Sequence, residues 1–273
     1  MYKKLKQSSV AIGTVFYPKA KKYIKRFLIN IGKQDFKNFD LIVINESVKV
    51  ARKNTNKFNI LFFKSTKNIN KNRIKLINIV KKLKYKKLIF CDVDDTFSNN
   101  RFRIVTKKLD DFKLVFNDVN LVRSNNKKVI KNFFSKRIKK NKKIFFKDIL
   151  NYNFCGLSNS ALRVNLLKNI NLNIFAKAPI FDWALFSILL TKNYGVFVNT
   201  TKTIYNCGLN RETSLPLRIN KNNYLSIAKK KKSHYDFLKK CKMINFKKSK
   251  FSFDTFIHMK KFPKLYNQLW WET

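Results

Sequence analysis

Three aspartates that stand within four residues are the group in this sequence with the clearest chemical potential. Asp92, Asp94 and Asp95 directly follow the apolar run at positions 87–91. Neighbouring carboxylates repel one another and raise each other's pKa unless a positive charge lies close to them. Hard divalent cations, which prefer oxygen ligands, supply such a charge in proteins. The pattern therefore predicts a metal and phosphate site at the carboxyl end of a strand, the edge at which open α/β sheets bind ligands.

Apolar runs and segments of helical periodicity alternate around these aspartates. The predicted strands are 9–17, 39–44, 59–63, 87–91, 112–116 and 195–198. The predicted helices are 20–31, 72–83, 100–109 and 182–190. The very basic segment 125–143 indicates an exposed helix or an excursion from the sheet. Strands that alternate with helices are typical of parallel βαβ units, so the pattern predicts an α/β fold.

The composition is strongly basic, with 61 Lys and Arg against 15 Asp and Glu and a net charge of +46. Such a charge favours binding to nucleic acid phosphates, and a non-catalytic nucleic-acid-binding protein is one alternative. However, the abundant Lys, Asn, Ile and Phe have A/T-rich codons, whereas Gly (5) and Pro (4) are scarce. A biased genome explains this composition without a nucleic acid partner. We therefore expect no specific nucleic acid partner.

Cysteine spacing and hydropathy restrict the other classes. None of the four cysteines forms a C-x-x-C pair, which disfavours a zinc knuckle and indicates a reducing compartment. The sequence contains no run of about 18 apolar residues, so we expect no transmembrane helix. We expect a cytoplasmic protein. The basic run 229–232 and the pair Trp270 and Trp271 add the alternative of peripheral attachment at the inner face of an anionic membrane.

The sequence around the aspartate cluster resembles motifs of two known families. Asp92-Val93-Asp94-Asp95-Thr96-Phe97 is similar to the first motif of haloacid-dehalogenase-type phosphatases, which would make Asp92 a nucleophile assisted by Mg²⁺. In that family the motif opens the domain, and a Lys and an acidic pair follow later. Here several predicted strands precede the cluster, and the later residues lack a convincing match. The phosphatase is therefore kept as an alternative.

The other resemblance covers residues 10–214. Segment 32–47, the D-x-D-D sequence at 92–95, and segments 115–118, 153–163 and 179–185 occur in the order and spacing of a family-2 glycosyltransferase of the GT-A fold. The resemblance implies a mixed, mostly parallel sheet flanked by helices. It also implies a GT-A domain at 1–214 and a basic helical C-terminal extension at 215–273. The implied activity is sugar transfer from a nucleotide-diphospho-sugar to an acceptor hydroxyl, with inversion of the anomeric centre.

The resemblance also assigns roles at the donor side of the site. Asn45 and Glu46 would lie near the nucleotide base, and Arg73 would lie near the diphosphate. Asp92 would approach the ribose, and Asp92 and Asp94 together would bind the metal ion. Oxygen ligands without His or Cys favour Mn²⁺ or Mg²⁺ over Zn²⁺. The implied cofactor is therefore Mn²⁺ or Mg²⁺.

On the acceptor side the resemblance makes Asp182 the general base. The implied acceptor is a glycan or a lipid-linked precursor of surface glycan biosynthesis. The sequence departs from the family pattern in several places. The first strand ends in Phe16-Tyr17-Pro18, and Asn45-Glu46 stands where the family often has two Asp. In addition, Phe181 replaces an acidic residue, and the usual His after the last strand is absent. We expect Arg211 to substitute for that His at the diphosphate.

Overall fold

The computed structural model describes residues 7–46, 48–49, 58–66, 68–123, 129–150, 152–207 and 224–241. None of the helices in these ranges is both long enough and apolar enough to cross a membrane. The strands are β1 (Val10–Phe16), β2 (Asp40–Asn45), β3 (Asn59–Lys64), β4 (Lys87–Phe90), β5 (Thr96–Phe97), β6 (Leu114–Arg123), β7 (Val129–Ile130), β8 (Lys143–Ile144), β9 (Ser160–Arg163) and β10 (Gly195–Cys207). The helices are α1 (Lys21–Gly32), α2 (Ile69–Lys82), α3 (Arg101–Asp111), α4 (Phe146–Ile149), α5 (Phe181–Leu190) and α6 (Tyr224–Lys240).

Within the described residues the strands form one mixed sheet with helices on both faces. Its main path runs β3-β2-β1-β4-β9-β6-β10-β5, while β7 pairs with β6 and β8 pairs with β10. The pairs β2–β3, β1–β2, β1–β4 and β6–β10 are parallel, and they contain the longer ladders. β9 is antiparallel to both β4 and β6 and lies between them. The predicted mixed, mostly parallel α/β sheet is therefore confirmed.

The central strands are apolar on both faces because helices cover both sides of the sheet. Along β2, Leu41 and Val43 belong to one buried cluster, and Ile42 and Ile44 belong to the other. The first cluster also contains α1 and α3, and the second contains α2, α5 and α6. This alternation, which follows from the two-residue period of a strand, fixes the register of β2 in the core.

The helices differ in how much of their surface is buried. α1 has one apolar stripe, formed by Tyr23, Ile24, Phe27, Leu28 and Ile31. In α5, by contrast, every residue except Asp182 is buried. A helix that is apolar all round must be covered on more than one side. Tyr235 of α6 supplies part of this cover, since its ring contacts the Trp183 ring edge-on with the ring centres 5.9 Å apart.

Of the two alternatives for the basic segment 125–143, an exposed helix or an excursion from the sheet, the exposed helix was wrong. The described part, residues 129–143, contains short strands and turns. Phe133, Phe134 and Ile138 are buried there and join the core on the α5 side of the sheet. These apolar side chains bind the segment to the protein despite its many lysines.

Close packing between α2 and β1 fixes the helix that carries Arg73. A Cβ atom at Gly13 would come within 2.8 Å of Cδ2 of Leu76 on α2. Asn68 caps the same helix by accepting from the Lys71 backbone N–H at 3.0 Å. Since β1 and β4 are parallel neighbours, the first turns of α2 lie near the edge where β4 ends.

Candidate functional site

The segment after β4, residues 91–95, is called here the acidic loop. The Cys91 N–H donates to the Gly13 oxygen of β1 at 3.0 Å, so the loop leaves β4 as a continuation of the ladder. The Asp95 N–H then donates to the Asp92 oxygen at 3.2 Å and closes a tight turn. From the solvent side, Arg26 donates through Nη2 to the Asp94 backbone oxygen at 2.6 Å. The backbone of the loop is thus held on several sides.

The three aspartates of the loop face different surroundings. Asp92 and Asp94 line a cleft of about 440 Å³. Asp95 is only 1% exposed, and its Oδ1 accepts from the Asn206 backbone N–H at 3.0 Å. Its Oδ2 has no hydrogen-bond partner among the described residues. Two carboxylates therefore face the cleft, while the third lies beneath them.

The cleft also contains the predicted base and the predicted diphosphate ligand. Besides Asp92 and Asp94, it is lined by Arg73 of α2 and Asp182 of α5. The Arg73 guanidinium carbon lies 5.5 Å from the centre of the Phe181 ring. This cation–π contact aims the arginine across the cleft toward the start of α5. Four side chains from three separate parts of the sequence thus lie in one cavity.

Asp182 is positioned by groups on both sides. Its Oδ1 accepts from the Trp183 backbone N–H at 2.8 Å and from Nδ2 of Asn153 at 3.4 Å. A Cβ atom on Gly156 would lie 3.7 Å from Oδ2, so the glycine keeps space open beside that oxygen. Burial raises the pKa of Asp182, whereas Arg73, Trp183 and Asn153 act in the opposite direction.

Burial and neighbouring negative charges raise the pKa values of two carboxylates of the acidic loop. Burial raises the pKa of Asp92, and the charges of Asp94 and Asp182 add to the effect, while Arg73 opposes it. Burial also raises the pKa of Asp95, and Asp94 and Asp92 add to it. Such crowding indicates a site with excess negative charge.

The donor set fits a hard divalent cation whose coordination a ligand completes. Among the described residues, no three His, Cys, Asp or Glu side chains are arranged to hold a metal ion. Mg²⁺ and similar ions, however, are commonly bound by one or two carboxylates together with water and substrate phosphates. Asp92 and Asp94 supply two such carboxylates, and the partnerless Oδ2 of Asp95 adds negative charge nearby.

The two residues predicted near the nucleotide base lie at the end of β2. Oδ1 of Asn45 accepts from the Val48 N–H, and its Nδ2 donates to the Val48 oxygen, both at 3.0 Å. Glu46 accepts a hydrogen bond from Nδ2 of Asn72 at 2.6 Å, and Asn72 is the residue that precedes Arg73 in α2. Neither Asn45 nor Glu46 is among the residues that line the cleft. In this structure the two side chains shape a loop and brace α2.

Several residues of the site were not predicted from the sequence. Lys230 of α6 lines the cleft, although it lies beyond the predicted GT-A domain. Lys231, its neighbour in the predicted membrane-binding block, is only 1% exposed. The run 229–232 is therefore not a uniformly solvated basic surface. Arg211, Trp270 and Trp271 lie outside the described residues.

Comparison with known proteins supports the fold. The sequence matches no protein-family model and no curated protein. The structure is similar to Staphylococcus aureus TarS 1–349 in complex with UDP-GlcNAc, at 15% identity and a TM-score of 0.59, over 88% of this chain and 74% of that chain. It is also similar to the Pyrobaculum calidifontis mannosyltransferase PcManGT in complex with GDP-Man and Mn²⁺, at 11% identity and a TM-score of 0.57, over 88% of this chain and 65% of that chain. The mixed α/β fold of this chain is thus GT-A-like.

Proposed function

We propose that this protein is a glycosyltransferase that moves a sugar from a nucleotide-diphospho-sugar donor to an acceptor hydroxyl. The observation that carries the proposal is that Asp92 and Asp94 share one cleft with Arg73 and Asp182. The GT-A-like fold adds support, because the similar structures contain a UDP-sugar in one case and GDP-Man with Mn²⁺ in the other. The cleft, of about 440 Å³, has a volume typical of small-molecule sites.

The donor end of the cleft is assigned to the acidic loop. A nucleoside diphosphate is a good leaving group only when its negative charge is neutralised. Asp94 and Asp92 would hold Mn²⁺ or Mg²⁺, and the bound ion would supply charge neutralisation as a Lewis acid. Arg73 adds a fixed positive charge to the same cleft. These residues thereby bind and orient the diphosphate.

The acceptor end is assigned to Asp182. Its carboxylate would accept the proton of the acceptor hydroxyl as that oxygen attacks the anomeric carbon. The N–H of Trp183 and the amide of Asn153 hold Oδ1, while Gly156 leaves room beside Oδ2. Attack from the face opposite the leaving diphosphate breaks the glycosidic bond to phosphate and inverts the anomeric centre.

The finer parts of the proposal come from the family-2 resemblance. They are a hexose as the transferred sugar and a glycan or lipid-linked acceptor in surface glycan biosynthesis. Peripheral attachment at the inner face of the membrane is proposed separately, from the basic run 229–232 and the pair Trp270 and Trp271. The same resemblance proposes that the loop around Asn45 and Glu46 contacts the nucleotide base. Arg211 is proposed to contact the diphosphate.

A thermal-shift screen tests the proposal directly. UDP-, GDP-, dTDP- and CMP-sugars are each added with and without Mn²⁺, and a ligand that binds only the folded protein raises the melting temperature. We expect at least one donor to give a shift that requires Mn²⁺ and that Asp94→Asn abolishes. Asp111→Asn, which changes an exposed aspartate of α3, is the matched control and should keep the shift. No shift with any donor would contradict the proposal.

A further inference from the structure

A fully buried arginine lies beneath the acidic loop. Arg101, the first residue of α3, is 0% exposed. Its Nε donates to Oδ1 of Asn117 at 2.8 Å, Nη1 to Sγ of Cys91 at 3.1 Å, and Nη2 to the Phe90 backbone oxygen at 3.1 Å. The guanidinium carbon lies 4.6 Å from the centre of the Phe97 ring. One side chain thus connects the end of β4, the start of the loop, and β6.

All three hydrogen-bond acceptors of Arg101 are neutral groups. Among the described residues no carboxylate forms a salt bridge with it. A buried cation of this kind is strongly destabilising unless negative charge compensates it. Burial lowers the pKa of Arg101, whereas the Cys91 sulfur and then Asp95 and Asp92 favour its charged form. The arginine therefore acts on the loop through its charge as well as through its hydrogen bonds.

The hydrogen bonds of Arg101 continue into a chain that returns to the loop. Nδ2 of Asn117 donates to Oγ1 of Thr203 at 3.0 Å, and this hydroxyl donates to the Ser158 backbone oxygen at 2.9 Å. The Asp92 backbone N–H in turn faces Oγ of Ser158 at 3.4 Å. The side chains in this series of hydrogen bonds are buried, so water does not compete for the bonds.

We propose that Arg101 is a positioning residue that holds the acidic loop from beneath, so that Asp92 and Asp94 face the cleft in a geometry able to bind a cation–diphosphate pair. The inference rests on the proposed function for its purpose and on the contacts of Arg101 for its geometry. Lysine cannot replace it, because a point charge lacks the planar fork that contacts three acceptors at once.

Two arginine variants and two controls test the role. Arg101→Met removes charge and fork, whereas Arg101→Lys keeps only the charge. Tyr85→Phe is a control for a general loss of stability. It removes the buried 2.7 Å hydrogen bond from Tyr85 to Asp40, a contact that lies before the start of β4 and not at the acidic loop. Arg103→Met removes an exposed arginine of the same helix α3, which pairs with Asp35 at 2.7 Å instead of contacting the loop.

The first measurement is amide hydrogen exchange of the full chain without metal. The amides of Cys91 and Asp95 report the loop, and the amide of Ile42 in β2 reports global opening. We expect both Arg101 variants to raise loop exchange about tenfold relative to Ile42, and both controls to leave the ratio within about twofold. An unchanged ratio in Arg101→Lys would overturn the inference even if Arg101→Met does not fold.

The second measurement is calorimetric titration with UDP and with GDP, each with and without Mn²⁺. We expect the Arg101 variants to lose about tenfold or more of the Mn²⁺-dependent affinity, with the controls unaffected. Equal losses in Tyr85→Phe would indicate a merely structural role and overturn the inference. Absence of Mn²⁺-dependent binding in the wild type, both here and with every donor of the thermal-shift screen, would contradict the proposed function instead. The exchange ratio would still decide whether Arg101 positions the loop.

Discussion

At the scale of single residues, Asp182 is the second residue of α5 and the proposed general base. Its Oδ1 accepts the Trp183 N–H, and its side chain also lines the cleft with Arg73. We expect Asp182→Asn to keep the contact with the Trp183 N–H and donor binding but to lower kcat about 10²–10⁴-fold. Steady-state kinetics with the donor found by thermal shift would measure this. A loss confined to donor KM would contradict the role of base.

The pH dependence of the reaction should depend on Asn153. Its amide donates to Oδ1 of Asp182 at 3.4 Å and favours the charged carboxylate, whereas burial raises the pKa of Asp182. A base must be deprotonated, so activity is lost as the pH falls through its pKa. Asn153→Ala removes a group that lowers this pKa, so the acid limb of the kcat profile should move to higher pH. A shift to lower pH, or none, would contradict the assignment of Asp182.

The residues of the site differ in how far the sequence could predict them. Asp92 and Asp94 were predicted because clustered acidic residues at the end of a strand are unusual in so basic a chain, whereas Asp182 was predicted through the family-2 resemblance. The inward turn of Asp95 depends on the N–H of Asn206, which is 111 residues away and could not be anticipated. Likewise, Lys230 reaches the cleft only because α6 packs on α5, a tertiary arrangement that local periodicity does not encode.

At the scale of elements, α6 meets α5 through a buried histidine. The His234 ring stacks on Trp183 at 4.3 Å, and neither of its nitrogens has a hydrogen-bond partner among the described residues. Burial, and then the charge of Lys231, lowers the pKa of His234 from its ordinary 6.5 to about 3. Below pH 6.5, His234 is therefore protonated in the unfolded chain but stays neutral in the folded protein. Stability is therefore lost as the pH falls from 6.5 toward 3.

Replacing this histidine should stabilise the protein. His234→Phe keeps an aromatic ring against Trp183 and removes the partnerless nitrogens, so we expect a gain of about 1–3 kcal/mol at neutral pH. It should also flatten the stability profile between pH 6.5 and 3 relative to the wild type. Urea unfolding at several pH values measures both effects. A destabilised variant would contradict the expectation that the partnerless nitrogens cost stability.

The elements themselves were largely predictable, and the exceptions have physical reasons. Buried strands and amphipathic helices such as β2 and α1 announce themselves by apolar periodicity. β9 has only four residues, Ser160–Arg163, and its polar start hides the antiparallel strand between β4 and β6. β10 was predicted only at 195–198, because its second half, through Thr201 and Thr203, is polar and lies beside the site. Strands near a site carry site residues, which weakens their apolar pattern.

At the scale of the whole molecule, the charge is the dominant feature. Only 15 acidic residues are available to pair with 61 basic ones, so most basic side chains must lie among like charges. Lysines are exposed on α1, α3 and the segment that includes Lys140, far apart in sequence. This spread is what a codon bias produces and differs from the single basic stripe of a nucleic-acid-binding surface. Self-repulsion, instead of a partner, is then the main consequence for the fold.

Stability should consequently rise with salt. At about 0.01 M salt the screening length is about 30 Å, comparable to the size of the domain, whereas at 0.15 M it is about 8 Å. We expect the melting temperature to increase by at least roughly 3 °C over this range of NaCl. Replacing four exposed lysines, Lys21, Lys25, Lys107 and Lys140, by Gln should reduce the increase. A melting temperature that falls with salt would instead indicate that a bound polyanion stabilises the purified protein. That outcome would favour the nucleic-acid-binding alternative that the composition suggests.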